Sequence, residues 1–131
     1  MKQPSLANAE LAIMKLLWNE DRLTARHIRE QLYPDETKAQ HGTVQRLLQR
    51  LEDKGYAERD RSLPVHLFSA KISRQTYARS QLKSLAAKLT GGSLAPLITY
   101  LVEDKKLSPK ELSRLRAVLD KHQTKEEGAV K

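Results

Sequence analysis

Apolar residues at helical spacing predict two short helices at the start of the chain. Within residues 8–19, Leu11 and Met14 fall on one face of a helix together with their apolar neighbours. A second helix is predicted over residues 25–33, because Thr24 can cap its first turn and a proline follows its last residue. The polar residues between the two helices predict a short connection.

The third predicted helix has the clearest division between an apolar and a polar face. It runs from about residue 40 to residue 54 and places Val44, Leu47 and Leu51 in one apolar stripe. Gly55 follows as the expected left-handed residue at the helix end. At about 100° per residue, the polar side chains of this helix fall on the opposite side and point away from the core.

The period of the pattern then changes from helical to strand-like. Residues 56–61 and 65–70 are short extended runs, which predict a β hairpin. Three more helices follow: Ser73 can cap the first, and the glycines at 91–92 end it. The last helix opens at residues 108–111, where Ser-Pro-Lys-Glu combines a cap, a proline in the first turn and a capping box.

This order of elements predicts a mainly α fold with a small β hairpin, in which a winged helix-turn-helix domain precedes a helical dimerisation domain. We expect the winged-helix domain to span residues 1–71, the dimerisation domain residues 72–123, and a disordered tail residues 124–131. Three short amphipathic helices bury too little apolar surface to be stable alone, so a second copy of the chain is their simplest partner. The apolar positions expected at the dimer contact are Leu82, Leu85, Leu89, Leu97, Ile98, Leu101, Leu112, Leu115 and Leu119.

The charge balance favours an anionic partner. The chain of 131 residues has 24 basic and 16 acidic side chains, a formal net charge of +8, which favours nucleic acid first and a membrane surface second. Residues 1–72 carry a surplus of only two basic side chains. Attraction to DNA therefore depends on where the arginines of this part lie, with help from the more basic helices that follow.

Missing residue types and motifs exclude several classes of protein. The chain has no cysteine, which excludes disulfide scaffolds, thiol catalysis and cysteine-based metal sites. Its four histidines are scattered, and it has no glycine-rich phosphate loop and no Gly-x-Ser-x-Gly motif. We therefore predict no enzymatic activity, no metal and no cofactor. The longest apolar runs are short, so we expect no transmembrane helix, no signal peptide and a cytoplasmic location.

Three helices followed by a hairpin suit the binding of double-stranded DNA, because a helix fits the major groove and a hairpin can lie against the adjacent backbone. The outward face of the third helix offers arginine and glutamine, which read guanine and adenine through paired hydrogen bonds. Arginines on the hairpin suit phosphate contacts, which fix position rather than sequence. The predicted DNA-binding residues are Gln40, His41, Gly42, Thr43, Gln45, Arg46, Gln49, Arg50, Arg59 and Arg61.

Three stretches of the chain resemble a known family. Residues 9–18 (Ala-Glu-Leu-Ala-Ile-Met-Lys-Leu-Leu-Trp), the third helix at 42–55, and residues 107–112 (Leu-Ser-Pro-Lys-Glu-Leu) are similar to the penicillinase-repressor family. Its members are winged-helix repressors of beta-lactamase and methicillin-resistance genes, and the likeness covers roughly residues 6–120. The resemblance implies a homodimer that binds a pseudo-palindromic operator and represses transcription, with the dimer made by the C-terminal helices.

The chain departs from this family at two points. Antibiotic-responsive members are cleaved at an Asn-Phe step by a membrane sensor protease, whereas the matching step here is Tyr100-Leu101. The resemblance therefore implies a membrane sensor protease as a partner, but this chain lacks the Asn-Phe step that such a protease cleaves in the family. Copper-sensing relatives carry a cysteine-rich tail, and the absence of cysteine excludes thiolate copper sensing here.

Two other functions fit parts of the pattern. Winged-helix folds also serve as protein-interaction modules that dock partners without sequence-specific DNA binding. A basic helix face can simply be a solvated surface. RNA binding is the weaker alternative, because the sequence offers no set of aromatic side chains on an exposed sheet.

Overall fold

The computed structural model describes residues 5–35 and 38–130, apart from the side chains of residues 38–39 and 124–130. Its order of elements confirms the predicted fold class: three helices, a two-stranded hairpin and three further helices. The elements are α1 (Asn8–Asn19), α2 (Ala25–Leu32), α3 (Lys38–Asp53), β1 (Ala57–Asp60), β2 (Leu67–Ala70), α4 (Arg74–Leu89), α5 (Ala95–Glu103) and α6 (Pro109–Val130).

The helix ends lie where local chemistry satisfies the unpaired backbone groups. The Thr24 hydroxyl accepts a hydrogen bond from the backbone N–H of His27 at 3.1 Å, which caps α2 as predicted. At the start of α6, the Ser108 N–H donates to the Glu111 carboxylate at 2.9 Å, and the Glu111 N–H donates to the Ser108 hydroxyl at 3.1 Å. Gly55 has a φ of 83°, which confirms the predicted left-handed residue after α3.

An isolated β bridge connects the hairpin to the segment between the first two helices. β1 and β2 are antiparallel, with Ala57 opposite Ala70 and Asp60 opposite Leu67. Leu23, in the connection between α1 and α2, exchanges two backbone hydrogen bonds with Phe68 of β2, at 2.9 and 2.7 Å. The hairpin and its connection, residues 57–70, are called the wing below. Its base is fixed beside the start of α2.

The hydrophobic core lies among the first three helices and the wing. Its fully buried side chains come from every one of these elements and fill the space between them. The largest are Ile13, Met14, Ile28, Val44, Leu48, Leu51, Tyr56 and Phe68. The apolar stripe predicted for α3 is therefore buried, and its opposite side is left outside.

The first turns of α4 belong to this core as well. The Tyr77 hydroxyl accepts a hydrogen bond from the Leu6 N–H at 3.0 Å. The Tyr77 and Tyr56 rings are arranged edge-to-face, with their centres 5.6 Å apart. The Trp18 ring lies 6.0 Å from the Tyr77 ring, and its Nε1–H donates to the carbonyl of Ile72 at 2.9 Å. Aromatic contacts thus hold the start of α4 against α1.

The chain divides into two compact units, Met1–Ser84 and Leu85–Lys131, at a point within α4. The functional domains predicted from the sequence, residues 1–71 and 72–123, stay predictions. The backbone of α6 is helical to Val130. Because the side chains beyond residue 123 and all of Lys131 lie outside the described residues, the predicted tail at 124–131 also stays a prediction.

A buried carboxylate links α1 to the end of α3. Glu10 is only 2% exposed, and it accepts a hydrogen bond from the Ala7 N–H at 2.9 Å. The Lys54 ammonium donates to both Glu10 oxygens, at 2.9 and 3.0 Å. Burial by itself raises the pKa of Glu10, but the hydrogen bonds from Ala7 and Lys54, with the positive charge of Arg50, outweigh it and lower that pKa.

We expect Glu10→Gln to lower the free energy of unfolding at about pH 7 by about 1–3 kcal/mol, because the amide keeps an acceptor for Ala7 and loses the ion pair with Lys54. The folded pKa of Glu10 lies below its usual value of 4.5, so its stabilisation is present above that value and is lost as the pH falls through the folded pKa. Urea unfolding at about pH 7 and about pH 3 should show a smaller acid-induced loss in Glu10→Gln than in wild type. Glu58→Gln removes an exposed carboxylate and is the control, and equal curves for all three proteins would contradict the assignment.

Candidate nucleic-acid interface

The outward face of α3 combines exposed basic and polar side chains with one glycine. The stripe of Val44, Leu47, Leu48 and Leu51 is buried, which turns the other residues of the helix outward. Gly42, Arg46, Gln49 and Arg50 are exposed, and Gln40, His41, Thr43 and Gln45 are partly buried beside them. Gly42, Gln45, Arg46, Gln49 and Arg50 therefore share the outward face of α3, whereas Gln40, His41 and Thr43 are spread around its first turns and are partly accessible.

The two arginines on this face keep their donors available. Within the described residues, neither the Arg46 nor the Arg50 side chain forms a hydrogen bond or an ion pair. The two glutamines have neighbours on the same helix: the Gln49 amide donates to Asp53 at 3.0 Å, and the Gln45 amide lies 3.3 Å from the His41 ring. An external acceptor can thus meet Arg46 and Arg50 directly, whereas each glutamine must exchange an internal contact.

The two predicted wing arginines lie in different environments. Arg61 is 58% exposed, and its guanidinium is 3.4 Å from Glu52. Arg59 is only 14% exposed: its guanidinium nitrogen lies 2.8 Å from Glu52, and its guanidinium carbon lies 4.6 Å from the centre of the Phe68 ring. Arg61 therefore reaches the surface of the wing, while Arg59 is held within the protein.

A groove of about 500 Å³ separates the wing from the starts of α2 and α3. Its basic and polar lining comes from both helices and the wing: Arg26, His41, Gln45, Arg59 and His66. Arg26 was not among the predicted site residues, although it follows the Thr24 cap by two positions. Its guanidinium pairs with Glu30 one turn later, at 3.1 Å on an exposed surface. The sequence feature that could have indicated Arg26 is its position as a basic residue in the first turn of a helix.

An acidic side chain braces the tip of the wing. Asp60 accepts hydrogen bonds from the Ser62 N–H at 2.9 Å and from its hydroxyl at 2.6 Å, and it pairs with Arg22. These bonds from Ser62, followed by the contact with Arg22, lower the pKa of Asp60. The hydrogen bonds between Asp60 and Ser62 stabilise the start of the turn. The apolar side chains of Leu63 and Val65 are exposed at the tip.

The residues predicted to form a dimer are left largely uncovered. Seven of the nine are exposed, and Leu97 and Leu115 are partly buried. In the second unit, a groove of about 700 Å³ on α5 and α6 is lined by Ile98, Leu112, Leu115 and Leu119 among others. Three further large apolar side chains of this unit are exposed and were not among the predicted dimer residues: Tyr100, Val102 and Val118.

Two other kinds of site find no support in the described part of the chain. Across residues 5–35 and 38–130, no three histidine, aspartate or glutamate side chains come together in a group that could hold a metal ion. No helix within the same ranges has both the length and the apolar character needed to cross a membrane.

The fold and the exposed face of α3 together define a winged-helix protein of the DNA-binding class. The chain belongs to the penicillinase repressor family, whose sequence profile matches residues 6–121. This is a family of DNA-binding transcriptional repressors and not of enzymes. The resemblance noted in three stretches of the sequence is thereby confirmed over most of the chain.

Individual relatives are similar at low identity over nearly their whole length. The penicillinase repressor of Bacillus licheniformis is 24% identical over 124 residues, which are 95% of this chain and 96% of that protein. The methicillin resistance regulatory protein MecI of Staphylococcus aureus (strain N315) is 23% identical over 120 residues, 92% of this chain and 97% of MecI. A solution structure of monomeric Bacillus licheniformis BlaI with the blaP half-operator has a TM-score of 0.48 and 26% identity, covering 58% of this chain and 92% of that one.

Gly42 offers a test of whether the outward face of α3 meets a ligand closely. A Cβ at this helical position would have no neighbour within 4 Å, so the protein's own packing does not require glycine. We expect Gly42→Ala to raise the free energy of unfolding by about 0.5–1 kcal/mol, because alanine loses less backbone entropy in a helix. The same change should weaken binding to a DNA duplex selected by the wild-type chain. Higher stability with unchanged affinity, measured by urea unfolding and fluorescence anisotropy, would remove Gly42 from the interface.

Proposed function

We propose that this chain is a cytoplasmic repressor that binds a pseudo-palindromic DNA operator as a homodimer, with α3 of each protomer in a major groove. The observation that carries the proposal is the pair of exposed arginines, Arg46 and Arg50, whose donors are not engaged by the described part of the protein. They project from a helix whose opposite side is buried in the core. A helix held in this way presents the two guanidinium groups to DNA, where arginine pairs with base edges or with phosphates.

The side chains divide into base-reading and backbone-binding groups according to where they lie. Arg46, Gln45 and Gln49 occupy the middle of α3, and we assign them to base edges. Arg50 near the end of α3 and Arg61 on the wing suit phosphates. The first turns of α3 complete the contact surface with Gln40, His41, Gly42 and Thr43. Arg59 takes no direct contact in this proposal, because Glu52 and the Phe68 ring already hold it.

A second copy of the chain is the proposed occupant of the exposed apolar surface in α5 and α6. Among the described residues of the second unit, Ala86 alone is fully buried, so the unit by itself has almost no core. Its leucines line a groove and stand exposed along both helices, which suits helix-on-helix packing with an identical partner. The two α3 helices would then meet half-sites about 10 base pairs apart or a small multiple of that distance.

Repression follows from occupation of promoter DNA by both protomers. Loss of the dimer would release the operator, because the second half-site then no longer adds its avidity. The proposal does not extend to cleavage by a sensor protease, because Tyr100-Leu101 stands at the position that matches the cleaved step.

Replacing single arginines should separate base reading from phosphate binding. Arg46→Ala should cost about 1–3 kcal/mol on a duplex selected from a random library and relax the preference at one base position. Arg61→Ala should weaken binding to all duplexes alike and reduce the slope of log K against log salt by about one unit. Arg79→Ala, an exposed arginine on α4, is the control for charge alone. Gel-shift titrations at two salt concentrations provide the measurement.

Two results would overturn this assignment. Equal losses on selected and random DNA for Arg46→Ala would show that this side chain reads no base. Failure of the wild-type chain to shift any duplex at low salt would favour a protein-docking module instead.

A charge at the proposed dimer contact should separate the protomers. Leu119 lines the groove on α6 and is 57% exposed, so Leu119→Glu disturbs little packing within a single chain. In a dimer, the buried carboxylate would be unpaired and cost about 2 kcal/mol or more. Sedimentation should show a shift from dimer to monomer at the same concentration, with weaker operator binding. Leu63→Glu makes the same change at the wing tip and should leave the dimer intact.

A further inference from the structure

Glu52 is a side chain to which the proposed function gives no direct role. It lies in the last turn of α3, 14% of its side chain is exposed, and each of its oxygens faces a different wing arginine. Oε1 is 2.8 Å from the Arg59 guanidinium, and Oε2 is 3.4 Å from that of Arg61. One carboxylate on α3 thus forms ion pairs with both arginines of the wing.

Arg59 depends on this carboxylate. Within the described residues, Glu52 is its acidic partner, the Phe68 ring lies under its guanidinium, and its Nε has no hydrogen-bond partner. Without the carboxylate, a mostly buried positive charge would be left uncompensated, which is costly. The side chain would then turn outward, and the groove that it lines with His41 and Gln45 opens beside the start of α3.

We infer that Glu52 restrains Arg59 and so limits the sequence-independent attraction of the wing to DNA. The inference rests on the proposed DNA binding. Contacts between arginine and phosphate strengthen binding to every sequence equally, whereas contacts between α3 and base edges discriminate. A carboxylate that competes with phosphate for Arg59 therefore lowers affinity for selected and random DNA alike and reduces the salt dependence of binding.

Glu52→Gln tests this competition, with Glu58→Gln as the matched control. Both changes remove one negative charge, but the exposed Glu58 on β1 has no ion pair among the described residues. For Glu52→Gln we expect the slope of log K against log salt on random DNA to become steeper by about one unit, because Arg59 becomes available to a phosphate. Affinity at low salt should rise by a similar factor for selected and random duplexes. Glu58→Gln should leave both quantities unchanged.

A second substitution identifies the side chain that is released. Arg59→Met in the Glu52→Gln background should remove the added slope, because methionine keeps apolar bulk over Phe68 and cannot bind phosphate. A purely structural role for Glu52 predicts the opposite pattern, in which Glu52→Gln weakens binding to both duplexes without a steeper slope. That pattern, or a slope equal to that of Glu58→Gln, would overturn the inference.

The reactivity of the arginines provides a measurement without DNA. In the free full-length chain, Arg59 should react with phenylglyoxal more slowly than the exposed Arg46, as followed by mass spectrometry of peptides. Glu52→Gln should raise the rate at Arg59 several-fold and leave Arg46 unchanged. If this variant proves unfolded, Glu52→Asp, which draws the carboxylate back by one methylene, should produce the same changes to a smaller degree.

The two measurements distinguish failure of the inference from failure of the proposed function. Unchanged reactivity at Arg59 in a folded variant would overturn the restraint by Glu52, even if the wild-type chain binds a selected duplex tightly. A rise in reactivity in a chain that binds no duplex would refute the proposed DNA binding, and with it the effect of Glu52 on affinity for DNA.

Discussion

Burial of one side of α3 is the constraint on which the rest of the first unit depends. Val44, Leu48 and Leu51 are fully enclosed by α1, α2 and the wing. Rotation of the helix by a single position, about 100°, would turn part of this stripe to water and draw Arg46 toward the core. Because burial of each large apolar side chain is worth about 1.5–3 kcal/mol, this rotation is strongly disfavoured. The core therefore decides which side chains α3 presents outward.

Polar contacts then fix the parts that flank α3. The ion pair between Glu10 and Lys54 connects its end to α1, and the backbone bridge between Leu23 and Phe68 holds the wing beside α2. Glu52 adds a direct contact between α3 and the wing. These contacts make the wing and the outward face of α3 parts of one rigid surface, so that binding DNA does not require them to be ordered first.

The second unit follows a different physical logic. Its helices leave their leucines uncovered, because α5, α6 and the end of α4 enclose little volume. In the proposed homodimer, this unit would reach a stable state by packing against an equal surface. Stability and the proposed operator binding would then depend on the same contact.

The sequence by itself determined the order of the helices, the caps of α2 and α6 and the outward residues of α3, because periodicity and capping involve neighbours within one or two turns. Gly55 and the capping box at residues 108–111 are of this kind. Only the tertiary structure decided that Tyr77 completes the first core and that Arg59 is held by Glu52. These pairings depend on how separate elements pack. An arginine on a strand has the same local pattern whether it faces a carboxylate of its own chain or a phosphate.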